Sequence, residues 1–230
     1  MAAPVEVVVE VGKKKSAAYA PAWPGWSRGG NSPAAALETL ASYGDRYRRV
    51  AALAGLGDEF PSTPILEVVE ELPGRGMTSY WGISFSAATG EQGQMSETEC
   101  ERKLGLLRAC WAYFDDVAKT VSAELRKGPR GGGRDREQIL RHIFANERDW
   151  GRMIGLTVPE EAYLTAKGLR AHRNAYVEAI RKYNAAGNSP RTWRLQFLLR
   201  HTAYHVMDHA WEMEDKDLSN SDGAARSKSP

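Results

Sequence analysis

Three of the five histidines fall in the stretch R-H-T-A-Y-H-V-M-D-H-A-W-E-M-E-D, as His201, His205 and His209, each four residues from the next. On a helix that interval sets neighbouring imidazoles about one turn apart, so two of them can address a common ion. Three in a row cannot share it equally. Helical phase separates them: with His201 at about 0°, His205 falls at roughly 40° and His209 at roughly 80°. The apolar residues Leu195, Leu198, Leu199, Thr202, Val206 and Met213 centre near roughly 115°. His209 therefore lies within the apolar stripe, His205 on its shoulder and His201 outside it, which makes His205 and His209 the pair to test and His201 a surface residue.

Two further histidines lie upstream. His142 borders an apolar stripe of Ile139, Ile143, Trp150 and Ile154, with Asn146 one turn later; His172 shares a helix face with Leu169, Tyr176, Ile180 and Tyr183 and points inward. A single inward histidine is ordinarily a core residue with a hydrogen-bond partner. Two buried imidazoles side by side are costly unless both are satisfied, and a divalent metal satisfies both at once. An ion held by so few neutral imidazoles keeps open positions for water or a thiolate, the arrangement of a catalytic site. Glu212, at roughly 20° on the same helix, is the candidate catalytic carboxylate, as a general base, a fourth ligand or a partner orienting His205 or His209. The acids of E-M-E-D-K-D sit at a helix C-terminal end, where the helix dipole disfavours them, so they need a reason to be there. Asp208, further round, is expected in solvent. Trp193, Trp111, Tyr113 and Trp150 are candidates to wall a pocket beside the imidazoles.

These residues need a scaffold, and the composition allows one. A chain of 230 residues, 42% hydrophobic, can bury a substantial core. Its net charge of +2 gives no overall attraction to nucleic acid or to an anionic membrane. The basic stretch R-K-G-P-R-G-G-G-R at 126–134 lacks interleaved aromatics for base stacking, so no nucleic-acid partner is expected. No apolar run reaches the ~20 residues of a membrane span. Cys100 and Cys110 lie ten apart in one helix, about 15 Å along its axis, too far for a disulfide. A reduced, cytoplasmic protein acting on a small molecule is expected, with a homodimer left open.

Val5 to Val11 alternates as a strand with Val5, Val7, Val9 and Val11 on one face, followed by a turn and a return strand at 16–20. P-A-W-P-G-W breaks the chain, and S-R-G-G closes the loop. Ser32 and Pro33 start a helix that carries Leu37, Leu40 and Tyr47. A strand is expected at 64–72. Beyond 96 the texture changes to four long helices, about 97–127, 135–155, 159–185 and 190–217, joined by short links. The expected fold class is a small α+β N-terminal domain over 1–95 and an all-α antiparallel four-helix bundle over 96–218, with a disordered tail at 219–230.

His142 in I-L-R-H-I-F-A-N-E-R-D-W, followed by His205 and His209 in H-V-M-D-H-A-W-E-M-E-D, resembles the DinB-like superfamily of metal-binding four-helix bundles, which includes the mycothiol-dependent maleylpyruvate isomerases. The resemblance implies a divalent metal (zinc, nickel, iron or manganese) held by one histidine of the second helix and an H-x3-H pair of the fourth, here His142, His205 and His209. It also implies a low-molecular-weight thiol such as mycothiol as cosubstrate, in transfer or isomerisation, or else a metal-assisted hydrolysis. The N-terminal strand, the Y-A-P-A-W-P-G-W-S-R-G-G turn and the following S-P-A-A-A-L-E-T-L helix look like the small HicB-like fold of antitoxins. A non-enzymatic metal sensor or partner-binding module is therefore the rival expectation.

Overall fold

The computed structural model describes residues 4–129 and 131–219; most of the tail expected to be disordered, 220–230, lies outside them. The architecture is α+β, with a small mixed sheet in the N-terminal third and mainly helices after it. Strand β1 (Val5–Val11) pairs antiparallel with β2 (Ser16–Tyr19), which pairs antiparallel with β3 (Ser27–Gly30). On its other side β1 runs parallel to β4 (Leu66–Pro73), giving the order β3-β2-β1-β4 with a register shift between Val7 and Val8.

S-R-G-G, expected to close a loop, is strand β3. Its glycines are needed for close approach: a Cβ on Gly30 would meet the backbone N of Ala36 at 2.3 Å and one on Gly29 the carbonyl of Gly82 at 2.5 Å. The strand leads into two helices, α1 (Pro33–Ser42) and α2 (Gly44–Leu53), where one was expected. Ser32 caps the first as anticipated, its hydroxyl accepting from Ala35 N at 3.1 Å. Trp26 Nε1 donates to Leu40 O at 2.9 Å and stacks on Tyr47, fixing both helices to the sheet.

The alternation in β1 does not hold to its end. Glu10 is fully buried and Val11 is 37% exposed, because the segment after β4 covers the second face of the sheet. That segment contains the short helix α3 (Met77–Trp81) and a 3-10 turn at Thr89–Glu91. Glu10 accepts from Thr78 Oγ1, Ser84 Oγ, Phe85 N and Ser86 N at 2.5–3.0 Å, so its burial leaves no oxygen unsatisfied.

Four long helices complete the chain: α4 (Glu97–Thr120), α5 (Arg136–Arg152), α6 (Ala166–Ala185, preceded by a 3-10 turn at Glu160–Leu164) and α7 (Leu195–Lys216). One hydrophobic core runs from Val5 to Met213, through the sheet, α1, α2 and all four helices. No helix among the described residues is long and apolar enough to cross a membrane.

Helix α7 is enclosed on most sides, packed along α4 and covered by the 84–94 segment. Arg200, 2% exposed, donates to both oxygens of Glu91 and to Ser84 Oγ and Ser86 O, with its guanidinium 3.7 Å from the Tyr19 ring centroid. The acids at the C-terminal end of α7 are met by side chains of α2, α4 and the α1–α2 junction: Glu214 by Arg46 and Tyr113 Oη, Asp215 by Arg46 and Tyr43 Oη. Those pairings supply the reason for acids placed against the helix dipole.

Candidate metal centre

Helix α5 starts in a capping box, Gln138 Oε1 accepting from Asp135 N at 2.8 Å, and buries Ile139, Ile143, Glu147 and Trp150 at three- to four-residue spacing. That phase leaves His142 on the side turned to α7. There it meets His205 and His209, whose four-residue interval on α7 stacks them one turn apart. One nitrogen from each of the three rings lies within 4.8 Å of the other two. The Nε2 atoms of His142 and His205 are 3.0 Å apart, and the three ring centroids lie 4.8–5.0 Å from one another. The residues expected as a set are brought together as a set.

The electrostatics keep His142 and His205 unprotonated. Burial, then the neighbouring His209, lowers the His142 pKa to about 4; burial, His209 and His142 lower that of His205 to about 2. Both imidazoles are neutral at pH 7, with a lone pair each to offer. His205 Nδ1 is buried without a hydrogen-bond partner among the described residues. On His142, Nδ1 lies 3.3 Å from the Asn146 amide nitrogen, which is itself held by donating to His142 O at 2.8 Å.

His209 is oriented from behind. Its Nδ1 lies 2.7 Å from Glu212 Oε2, which leaves Nε2 free to face the other two rings, and Lys216 Nζ holds Glu212 Oε1 at 2.6 Å. The hydrogen bond to His209 and that from Lys216 outweigh burial and pull the Glu212 pKa down to about 2. A carboxylate that acidic is a poor proton acceptor at neutral pH and a good hydrogen-bond acceptor.

His201 is not on the surface. It is 5% exposed, stacked on Phe197 at 5.3 Å and edged by Phe85, Trp150, Trp193 and Tyr204. Helical phase would leave it in solvent if α7 had a single buried face, but the 84–94 segment and Trp193 cover a second one. Burial, with Arg200 adjacent, lowers its pKa to about 3. Asp208 is likewise not free in solvent but accepts from Arg28 at 2.8 Å. Of the four aromatic candidates, Trp150 stands 5.1 Å from His205 and Trp193 stands 5.7 Å from Trp150, forming a wall beside the imidazoles. Trp111 and Tyr113 point elsewhere, to Glu147 and Glu214. His172 faces inward as expected, with Tyr163 Oη 3.3 Å from its ring nitrogens.

Glu147, part of the N-E-R segment quoted for the resemblance, is buried against Arg173, a pairing not among the sequence expectations. Glu147, fully buried, accepts from Trp111 Nε1 at 2.7 Å and lies 3.5 Å from Arg173 Nε, while Arg173 Nη1 donates to Asp115 at 2.8 Å. The available signal was a carboxylate one turn after Ile143, inside the apolar stripe of α5. Compared with protein-family models, curated proteins and solved structures, the chain matches none of them.

Proposed function

We propose that the protein is a divalent-metal-dependent enzyme whose ion is held by His142, His205 and His209, in a four-helix bundle of the DinB-like kind formed by α4 to α7. The observation that carries this reading is the convergence of three imidazoles from two helices, with the His142 and His205 Nε2 atoms 3.0 Å apart. Two nitrogens bonded to one ion at about 2.0–2.1 Å stand roughly 3 Å apart. The donor set fits as well. Two of the rings are held neutral by burial, and His209 is backed by a carboxylate, as metal-bound histidines usually are.

Such an ion, zinc, nickel, iron or manganese, supplies a Lewis acid that lowers the pKa of a thiol or water entering its open positions. The chain supplies the rest. Glu212, itself held by Lys216, fixes the tautomer and direction of His209 and acts through it, as a positioning residue instead of a base. Trp150 and Trp193 exclude water from one side of the imidazoles and offer an apolar wall to an organic substrate. A small electrophile and a low-molecular-weight thiol such as mycothiol are the substrates this arrangement suits, in transfer or isomerisation.

One observation favours the rival sensor reading. Asp208 and Glu214, which flank His209, are tied to Arg28 and Arg46 of the N-terminal part, so occupancy of the site and the seating of that HicB-like part are linked through one helix. Metal content decides the first question. Protein purified without a histidine tag is expected to carry close to one equivalent of metal, to lose it on His142→Ala and on His209→Ala, and to keep it on His201→Ala. Metal absent throughout, or lost only with His201, overturns the assignment. Turnover of an electrophile with mycothiol or another thiol then separates enzyme from sensor.

A further inference from the structure

Helix α5 has a second working face. Glu137, Leu140 and Phe144 lie away from His142 on the helical wheel, and they form the shared wall of two adjoining cavities of about 710 and 700 Å³. The facing wall of one is α4 and α6; the other is closed by the 3-10 turn that ends at Leu164, which is 80% exposed. Each volume is in the range of small-molecule sites. Leu140, Phe144 and Leu169 supply apolar walls among charged ones, with Phe144 stacked on Tyr163 at 5.8 Å.

The charges around this space are unbalanced in one direction. Each of its acids is already engaged: Asp115 by Arg173 at 2.8 Å, Glu137 by Arg141 at 3.1 Å and Glu160 by Arg148 at 2.9 Å. Two guanidiniums are left over. Arg136 donates only to a backbone carbonyl, that of Val121, at 2.9 Å, and Arg170 makes no hydrogen bond or ion pair among the described residues. Arg173 lies behind them, 8% exposed, with Nη2 unpartnered. Guanidiniums without acids, set beside apolar walls, suit a ligand with an anionic head and an apolar body.

We propose that the space behind α5 is a second binding site, independent of the metal centre, for a small organic anion: a carboxylate or phosphate held by Arg136 and Arg170, on an aromatic or short aliphatic body packed against Leu140, Phe144 and Leu169. A bare anion would leave the apolar walls unused and a neutral body would leave the guanidiniums unpaired.

Calorimetric titration of the full chain with 4-phenylbutyrate, phenyl phosphate, 4-phenylbutanol, 4-phenylbutylamine and inorganic phosphate tests this. Either or both aromatic anions are expected to bind at least about tenfold more tightly than the alcohol, the amine or inorganic phosphate, a difference of about 1.4 kcal/mol. Which of the two binds more tightly tells a carboxylate ligand from a phosphate one. The Arg136→Gln, Arg170→Gln double variant, altered only at partly or fully exposed positions, is expected to abolish that preference while retaining the native thermal transition. Ala166→Trp, which fills the space without touching the charge, is expected to abolish binding of both anions. Equal affinity for anion, alcohol and amine, undiminished affinity in the arginine double variant, or no binding of either aromatic anion would each overturn the proposal.

Discussion

Replacing Glu212 by Gln tests the centre at its most specific point. The carboxylate touches His209 Nδ1 at 2.7 Å and is held at its other oxygen by Lys216 at 2.6 Å. An amide there can still accept the Nδ1 proton through its single oxygen, so the ring keeps its direction, while the negative charge and the acceptor for Lys216 are lost. Loss of such a partner typically weakens metal affinity about 10- to 100-fold, or about 1.4–2.8 kcal/mol. The Gln variant is expected near the lower end and Glu212→Ala, which also frees the ring, near the upper. The assay is competition for zinc against a fluorescent chelator, with the cobalt-substituted visible spectrum recorded in parallel. An affinity within about twofold of the parent in the Ala variant would refute the assigned role. A changed cobalt coordination number in the Gln variant would instead make Glu212 a direct ligand.

Three further outcomes are expected of the fold. The His172 pKa is lowered to about 4 by burial and by Arg173, so between pH 6.5 and 4 the unfolded chain binds a proton that the folded one excludes. Stability should fall with pH across that window, and urea titrations of His172→Gln should show the dependence reduced by at most about 3 kcal/mol. Arg200→Met leaves Glu91 buried without its cation and should cost about 3–5 kcal/mol in the urea unfolding free energy. Gly25→Ala places a Cβ 2.9 Å from Cys110 Sγ and 3.0 Å from Met207 Cγ at a residue with φ of 98°; a loss of about 1–3 kcal/mol is expected, read as a lowered Tm.

Much of the architecture was legible because local signals agree with global placement. Ser32 and Pro33 begin α1, and His142, His205 and His209 meet as their helix phases require; the four long helices lie within their expected spans, but α4 stops at Thr120 instead of about 127, and α6 and α7 begin at Ala166 and Leu195 instead of about 159 and 190. The misplaced residues share one cause. Periodicity locates a buried face only when the other face is wet, and β1 and α7 each have one face in the main core and a second covered by the 77–94 segment, which has almost no periodicity of its own. Hence Glu10 and His201 fall outside by pattern and are inside in the fold. The strand Ser27–Gly30 was hidden differently: its glycines answer to α1 and to Gly82, and locally they have the composition of a turn. The pairing of Glu147 was overlooked because its partner Arg173 comes from another helix.

Helix α7 carries partners on nearly every side: Arg200 toward Glu91, His205 and His209 toward His142, Asp208 toward Arg28, Glu214 toward Arg46. One residue inserted after Ala203 would turn everything downstream by about 100° and advance it by about 1.5 Å, detaching all but the first of these at a stroke. The helix can therefore change its letters but not its length. Natural length variation in chains of this kind is expected instead in the glycine-rich link between 127 and 134, whose described residues 128, 129 and 131–133 are all exposed.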